Sequence, residues 1–254
     1  RMKRIWLILY LTLFSCEDTK NDDGYSFPKL SKETVFNSDG TINREIIYRW
    51  DGNVRKGYRA RNGIETDTLS SLCRYNQYGG VLEYTSYNLS GDVNGKTVYE
   101  RDKWKILSYK KYNRSDELSS HNIFEWDGLT AREIDAKSNS LIYTHIYDEK
   151  SNKIYEKFEL QTFEYITTWE WDPKYRQRLL NYTVGPNSFA EGVSISYEWI
   201  GNKCIGKNID GTLSGDSWEV NEFDDRIKYT GRSGRVFIQE YLDERFEPYF
   251  TPDI

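Results

Sequence analysis

Acidic and aromatic side chains are the main chemical resource of this sequence, which carries 40 Asp and Glu but two histidines, His121 and His145. His145 alternates with aromatic residues along the chain, the pattern of a packed ring rather than of a base or metal ligand. Glycoside hydrolysis needs two carboxyl groups facing each other across a sugar at about 5 to 10 Å. Glu125, Asp127, Glu170, Asp172, Asp224 and Asp225 are candidates. Each of them falls either outward on a predicted strand or in a turn, where acids are solvated. The chain therefore reads as a non-catalytic protein, with a glycan-cleaving hydrolase as the alternative. It holds no His-Glu-x-x-His helix, nucleophile elbow or phosphate-binding glycine loop. The polar segment 206–215 lacks the alternating acids of a calcium loop and reads as a turn. No metal or cofactor is expected. Cys73 and Cys204 fit no metal spacing and read as two buried thiols.

Aromatic residues offer better material for binding, because indole and phenol faces stack on sugars and on protein surfaces. The chain has 21 Tyr, 11 Phe and 8 Trp. Most of these should pack a core. Trp104 and Trp218, on second strands and outside the main register, are the candidate ligand contacts. The net charge of −5 argues against a nucleic-acid partner, whose phosphates call for a basic face.

These rings recur in a fixed pattern. Tyr48-Arg49-Trp50-Asp51-Gly52, Phe124-Glu125-Trp126-Asp127-Gly128, Trp169-Glu170-Trp171-Asp172-Pro173 and Tyr197-Glu198-Trp199-Ile200-Gly201 share an aromatic, a spacer, an aromatic and a turn. Weaker copies end at Tyr75, Tyr99, Tyr147 and Phe223, so the second ring returns about every 24 residues, the mark of stacked supersecondary units. Residues two apart on a strand share a face. Both rings of a copy thus point one way, while Arg49, Glu125, Glu170 and Glu198 point the other. Such alternation predicts half-buried antiparallel strands, and the Asp-Gly that follows supplies the turn. Returning strands near Tyr87, Tyr109, Tyr155 and Leu180 make each repeat one hairpin, on the order of fourteen strands in all.

The predicted fold is all-β: an antiparallel meander of repeated hairpins, curled or wound so that its aromatic face becomes the interior. Such a sheet needs protected ends, and Asp243, Glu244 and Arg245 could blunt one of them. Over roughly residues 44–235 the units resemble the tyrosine-aspartate repeats of the Rhs type, through Tyr147-Asp148, through Trp50, Trp126 and Trp171 in place of tyrosine, and through Gly79-Gly80 and Gly201-Asn202. That resemblance implies hairpins wound into a continuous sheet. It also implies a surface, toxin-enclosing or ligand-binding setting.

The N-terminal segment indicates location. Lys3 and Arg4, an apolar run from Ile5 to Phe14, Ser15 and Cys16 form a secretory signal too short to span about 30 Å of hydrocarbon. The pattern resembles bacterial lipoproteins, which implies cleavage before Cys16 and acylation of that residue. Residues 1–15 are then the signal, 16–33 a flexible tether and 34–254 the repeat domain. The acidic cluster after Cys16 is similar to the export signal of Bacteroidota lipoproteins. The expectation is an envelope protein held to the outer membrane by lipid, binding a glycan or an envelope protein, or serving as a structural module. An accessory or immunity partner of a secreted toxin is a further alternative, to be recognised by a large exposed apolar patch.

Overall fold

A computed structural model describes residues 28–149, 152–160, 163–172, 178–185, 192–221 and 225–246 of the chain. The strands are β1 (Pro28–Phe36), β2 (Ile42–Asp51), β3 (Val54–Arg61), β4 (Ile64–Tyr75), β5 (Val81–Tyr87), β6 (Val93–Asp102), β7 (Lys105–Tyr112), β8 (Leu118–Asp127) and β9 (Thr130–Asp135). They continue as β10 (Ser140–Tyr147), β11 (Lys153–Leu160), β12 (Phe163–Trp171), β13 (Leu179–Val184), β14 (Val193–Ile200), β15 (Lys203–Asn208), β16 (Leu213–Val220), β17 (Arg226–Thr230) and β18 (Val236–Arg245). No helix occurs among the described residues.

Every strand pairs antiparallel with its chain neighbours. β1 also pairs with β18, with Glu33 opposite Gln239 and Val35 opposite Phe237, so the meander closes into an 18-stranded barrel. Closure changes three expectations. The described residues form 18 strands, not about fourteen. Residues 28–33, expected in the tether, belong to β1 at the heart of the closing seam. Asp243, Glu244 and Arg245 blunt no edge, because β18 has β1 beside it. The segment 206–215 is likewise mostly strand: Gly206 to Asn208 end β15 and Leu213 to Gly215 begin β16, leaving four residues for the turn.

The barrel's two rims favour different turns, although the near rim also holds a copy of the far rim's five-residue loop, at 76–80. At the near rim lie the start of β1, the end of β18, and tight turns in which Gly52, Gly128 and Gly201 take φ of +56°, +57° and +63°. These are the aromatic-Asp-Gly turns and their Trp199-Ile200-Gly201 variant. At the far rim a five-residue loop recurs at 37–41, 88–92, 113–117, 208–212 and 231–235. Its first N–H donates to the carbonyl four residues on and its fourth N–H donates back to the first carbonyl. This is a type I turn followed by a bulge whose fourth residue must be left-handed. Gly40, Gly91, Gly211 and Gly234 supply that conformation; Asp116, at φ +60°, stands in at the remaining copy.

The rings gather on one face. Trp50, Trp126, Trp171 and Trp199 end their strands at the near rim. Each indole Nε1 donates to a carbonyl at the start of the preceding strand, from Leu30, Ile106, Lys153 and Leu179, at 2.8, 2.8, 2.9 and 3.0 Å. All four carbonyls sit at irregularities of strand register, where the indole replaces a ladder partner. Phe246, just past β18, turns onto both Trp50 and Tyr75, with centroids 5.5 and 5.2 Å away. That convergence of rings from β2, β4 and the end of β18 marks the concave side. A round ring of 18 strands is on the order of 35 Å across. The rings therefore pack sideways along the wall rather than across it, and Tyr84 stays 39% exposed to the lumen.

The opposite face carries charge. Arg49, Glu125, Arg132 and Glu198 point outward with side chains 68%, 59%, 56% and 56% exposed. They pair across strands: Arg49 with Glu65, Arg132 with Glu125, Lys207 with Glu198, Lys203 with Glu219.

Candidate functional site

The inner wall between β7 and β11 places charge among the rings. Register sets His145 on β10 opposite Glu156 on β11 and diagonal to Glu133 on β9. The His145 Nε2 lies 3.1 Å from Glu133 Oε2 and its Nδ1 3.2 Å from Glu156 Oε2, the second contact off the line of an N–H hydrogen bond. The imidazole lies within 20° of parallel to the rings of Phe124 and Tyr143, at 6.0 and 5.5 Å. Glu133 also accepts from the Tyr109 hydroxyl at 2.7 Å and from Asn122 Nδ2 at 2.6 Å. Glu156 accepts from Lys153 Nζ at 2.6 Å.

These contacts hold both acids ionised. Burial alone would raise Glu133, yet His145, Tyr109 and Asn122 outweigh it and lower its pKa. Burial also works against Glu156, but His145 and the Lys153 ammonium bring it down to about 2. Lys153 is raised despite its burial, because Tyr147 and Glu156 favour its charge. Tyr109 is raised by burial and by the Glu133 carboxylate. A glycosidase acid needs a proton to give and hence a raised pKa. Glu133 and Glu156 are shifted the other way, and an imidazole separates them.

Beside the cluster is a cleft of about 210 Å³ lined by Tyr99, Ile106, Tyr109, Lys111, Phe124, Glu133, His145, Tyr147 and Lys153. The oxygens of Glu133 are taken by their donors. What faces an incoming molecule is therefore a set of ring surfaces and two ammonium groups, with the Lys111 Nζ 5.0 Å over the Tyr109 ring. A similar arrangement stands elsewhere on the wall, where buried Asp216 accepts from Tyr229 at 3.0 Å and from Arg232 at 2.9 Å.

The residues singled out from sequence fall in different places. Trp104 sits in the turn between β6 and β7, half-buried and edge-on to Trp126 and Tyr147 at 5.1 and 5.4 Å. Trp218 does not lie outside the main register: it shares the inner face with Cys204 and is buried against Tyr197 and Tyr229, at 4.5 and 5.6 Å. Glu125 is on the outer face with Glu170, which ties to Asn181; Asp127 ends β8, Asp172 follows β12, and Asp225 is buried against Arg245. Asp224, Phe223 and Cys16 lie outside the described residues. His121 faces outward opposite Lys110. Cys73 and Cys204 are both buried and free, and burial pushes the Cys204 thiol up to about 12. Among the described residues no group of three or more His, Cys, Asp or Glu is placed to hold a metal ion. Sequence reading found His145 but missed its partners. The available signal was Glu133, an acid two residues from Ala131 on a face otherwise given to rings.

No protein-family model matches the chain, and no curated protein does. Among solved structures it is similar to a porin-like protein from Bacteroides uniformis, at 9% identity and a TM-score of 0.37 over 85% of this chain and 100% of that one. It is also similar to the Tc holotoxin pore of Photorhabdus luminescens, at 11% identity and a TM-score of 0.33. There the match covers 85% of this chain and 14% of the toxin chain.

Proposed function

We propose that the chain is a lipid-anchored ring of the bacterial cell envelope that stands in water and binds a glycan in its aromatic lumen without acting on it chemically. The distribution of side chains between the two faces carries this reading. A barrel that crosses an outer membrane turns an apolar band about 25 Å tall toward lipid. Here Arg49, Glu125, Arg132 and Glu198 point outward while the rings point in. Attachment then falls to Cys16 rather than to the strands, in keeping with the signal pattern before it. The lowered pKa values of Glu133 and Glu156 favour binding over hydrolysis. Kinship with tyrosine-aspartate repeats is supported by the aromatic-Asx-x-x-Gly loops at Phe36-Asn37, Tyr75-Asn76 and Tyr87-Asn88.

A glycan array followed by calorimetry on the purified full chain tests the binding role. Retention of a glycan, weakened at least tenfold by Lys111→Glu or Tyr99→Ala, is the expected result. Release of shortened sugars, or no retention of any glycan, would overturn it. Labelled palmitate should be incorporated by the parent chain and not by Cys16→Ala.

A further inference from the structure

The far rim is apolar where turns are ordinarily polar. Ile42, Ile64, Leu89, Leu118, Ile209 and Leu213 all lie at its loops or at the first strand residue after them, and Leu89 and Ile209 are 80% and 91% exposed. Loop tips favour Gly, Asn, Asp and Ser, so bare Leu and Ile at two tips need another reason. Among the described residues, half of the large exposed apolar side chains are these six.

We propose that the far rim is a self-association surface, on which a second copy of this chain docks rim to rim about a two-fold axis. Three observations point to a second copy. The first is area: the six side chains leave on the order of 750 Å² uncovered, close to the roughly 800 Å² that each partner gives to a standard interface. The second is order around the ring. The loops follow one another as 209–212, 231–235, 37–41, 62–63, 88–92 and 113–117. A two-fold axis between 37–41 and 62–63 sets Ile42 against Ile64, and Ile209 and Leu213 against Leu118. Five of the six apolar positions thereby meet an apolar one, while Leu89 falls opposite loop 231–235. The third is charge. The same axis brings Arg235 in loop 231–235 over Asp92 in loop 88–92, so basic and acidic loops meet rather than like with like.

Sedimentation velocity on the purified full chain carrying Cys16→Ser, so that acyl chains cannot drive association, tests the proposal. A dimer at about 10 µM is expected, within the range of standard-sized interfaces. Leu118→Asp with Ile209→Asp should weaken it at least tenfold while far-ultraviolet circular dichroism stays that of the parent. Arg235→Glu should weaken it too, and the near-rim variant Ile200→Asp should leave it intact. A parent chain that is monomeric at tens of micromolar overturns the proposal, even if it floats with lipid vesicles or is retained by another protein. Loss of the dimer in Ile200→Asp as readily as in the far-rim variant does the same.

Discussion

His145 is held between two carboxylates, Glu133 at Nε2 and Glu156 beside Nδ1. The acids supply a pH window of their own. Glu156 titrates near 2 in the folded chain against 4.5 as a free group. Because the folded value is the lower one, its contribution to stability is whole above about 4.5 and is lost as pH falls toward 2. Glu156→Gln should therefore flatten the acid limb of a urea-midpoint profile across that interval; an unchanged slope would remove Glu156 from the account. The indoles allow a paired comparison. Trp126→Phe strips the Ile106 carbonyl of its donor and should cost about 1–2 kcal/mol beyond the lost ring area. Trp218 Nε1 is buried with no acceptor, so Trp218→Phe should lose less in thermal denaturation. The sequence displayed His145 in its aromatic register. It hid Glu133 and Glu156, because their meeting depends on the lateral register of three strands, fixed in part by a bulge between Leu141 and Tyr143.

At the scale of strands and turns, most of the architecture was legible in the spacing of rings. Seven of the eight second rings, from Trp50 to Trp199, end or nearly end an even-numbered strand, so the 24-residue step counts hairpins. The count fell short because β9, β15 and β17 are five or six residues long and carry no aromatic pair, and because Phe246, 23 residues past Phe223, is a ninth mark beyond the eight. Of the Asn-x-x-Gly loops, the one at Gly79-Gly80 is read from sequence and those of the far rim are not. Their signal is an Asx followed three residues later by Gly, which fixes a left-handed bulge. Gly91→Ala, at φ +86°, should cost about 1 kcal/mol in chemical denaturation. A different constraint governs Gly206, which faces Tyr197 across β14 and β15. A Cβ there would collide with the Ser214 hydroxyl and lie 3.0 Å from the Tyr197 ring and 3.2 Å from the Asp216 carbonyl. Gly206→Ala should therefore destabilise by about 1–3 kcal/mol, and a neutral result would mean that the Ser214 hydroxyl and the Tyr197 ring can both shift aside.

Across the whole molecule, one strand pairing differs from the rest. β1 and β18 join residues some 200 positions apart, whereas every other ladder forms between chain neighbours. The chain can zip locally, and the long closure comes at the largest entropic cost. Cysteines at Thr34 and Ile238, which face each other across the seam, would bond that closure permanently. In the chain-entropy limit the bridge should add about 5 kcal/mol to oxidised over reduced protein, read from denaturant midpoints. No gain would indicate that the unfolded chain already keeps its ends together.

Local pairing also makes the girth of this molecule a matter of arithmetic. Each hairpin is a link of about 24 residues whose only strand partners are the links on either side. Splicing one link in or out at the near-rim turns would leave every surviving ladder intact and change the circumference by two strand widths, about 10 Å. Lineages of such chains can retune the bore of the tube by duplicating or shedding links, with no residue of the wall redesigned.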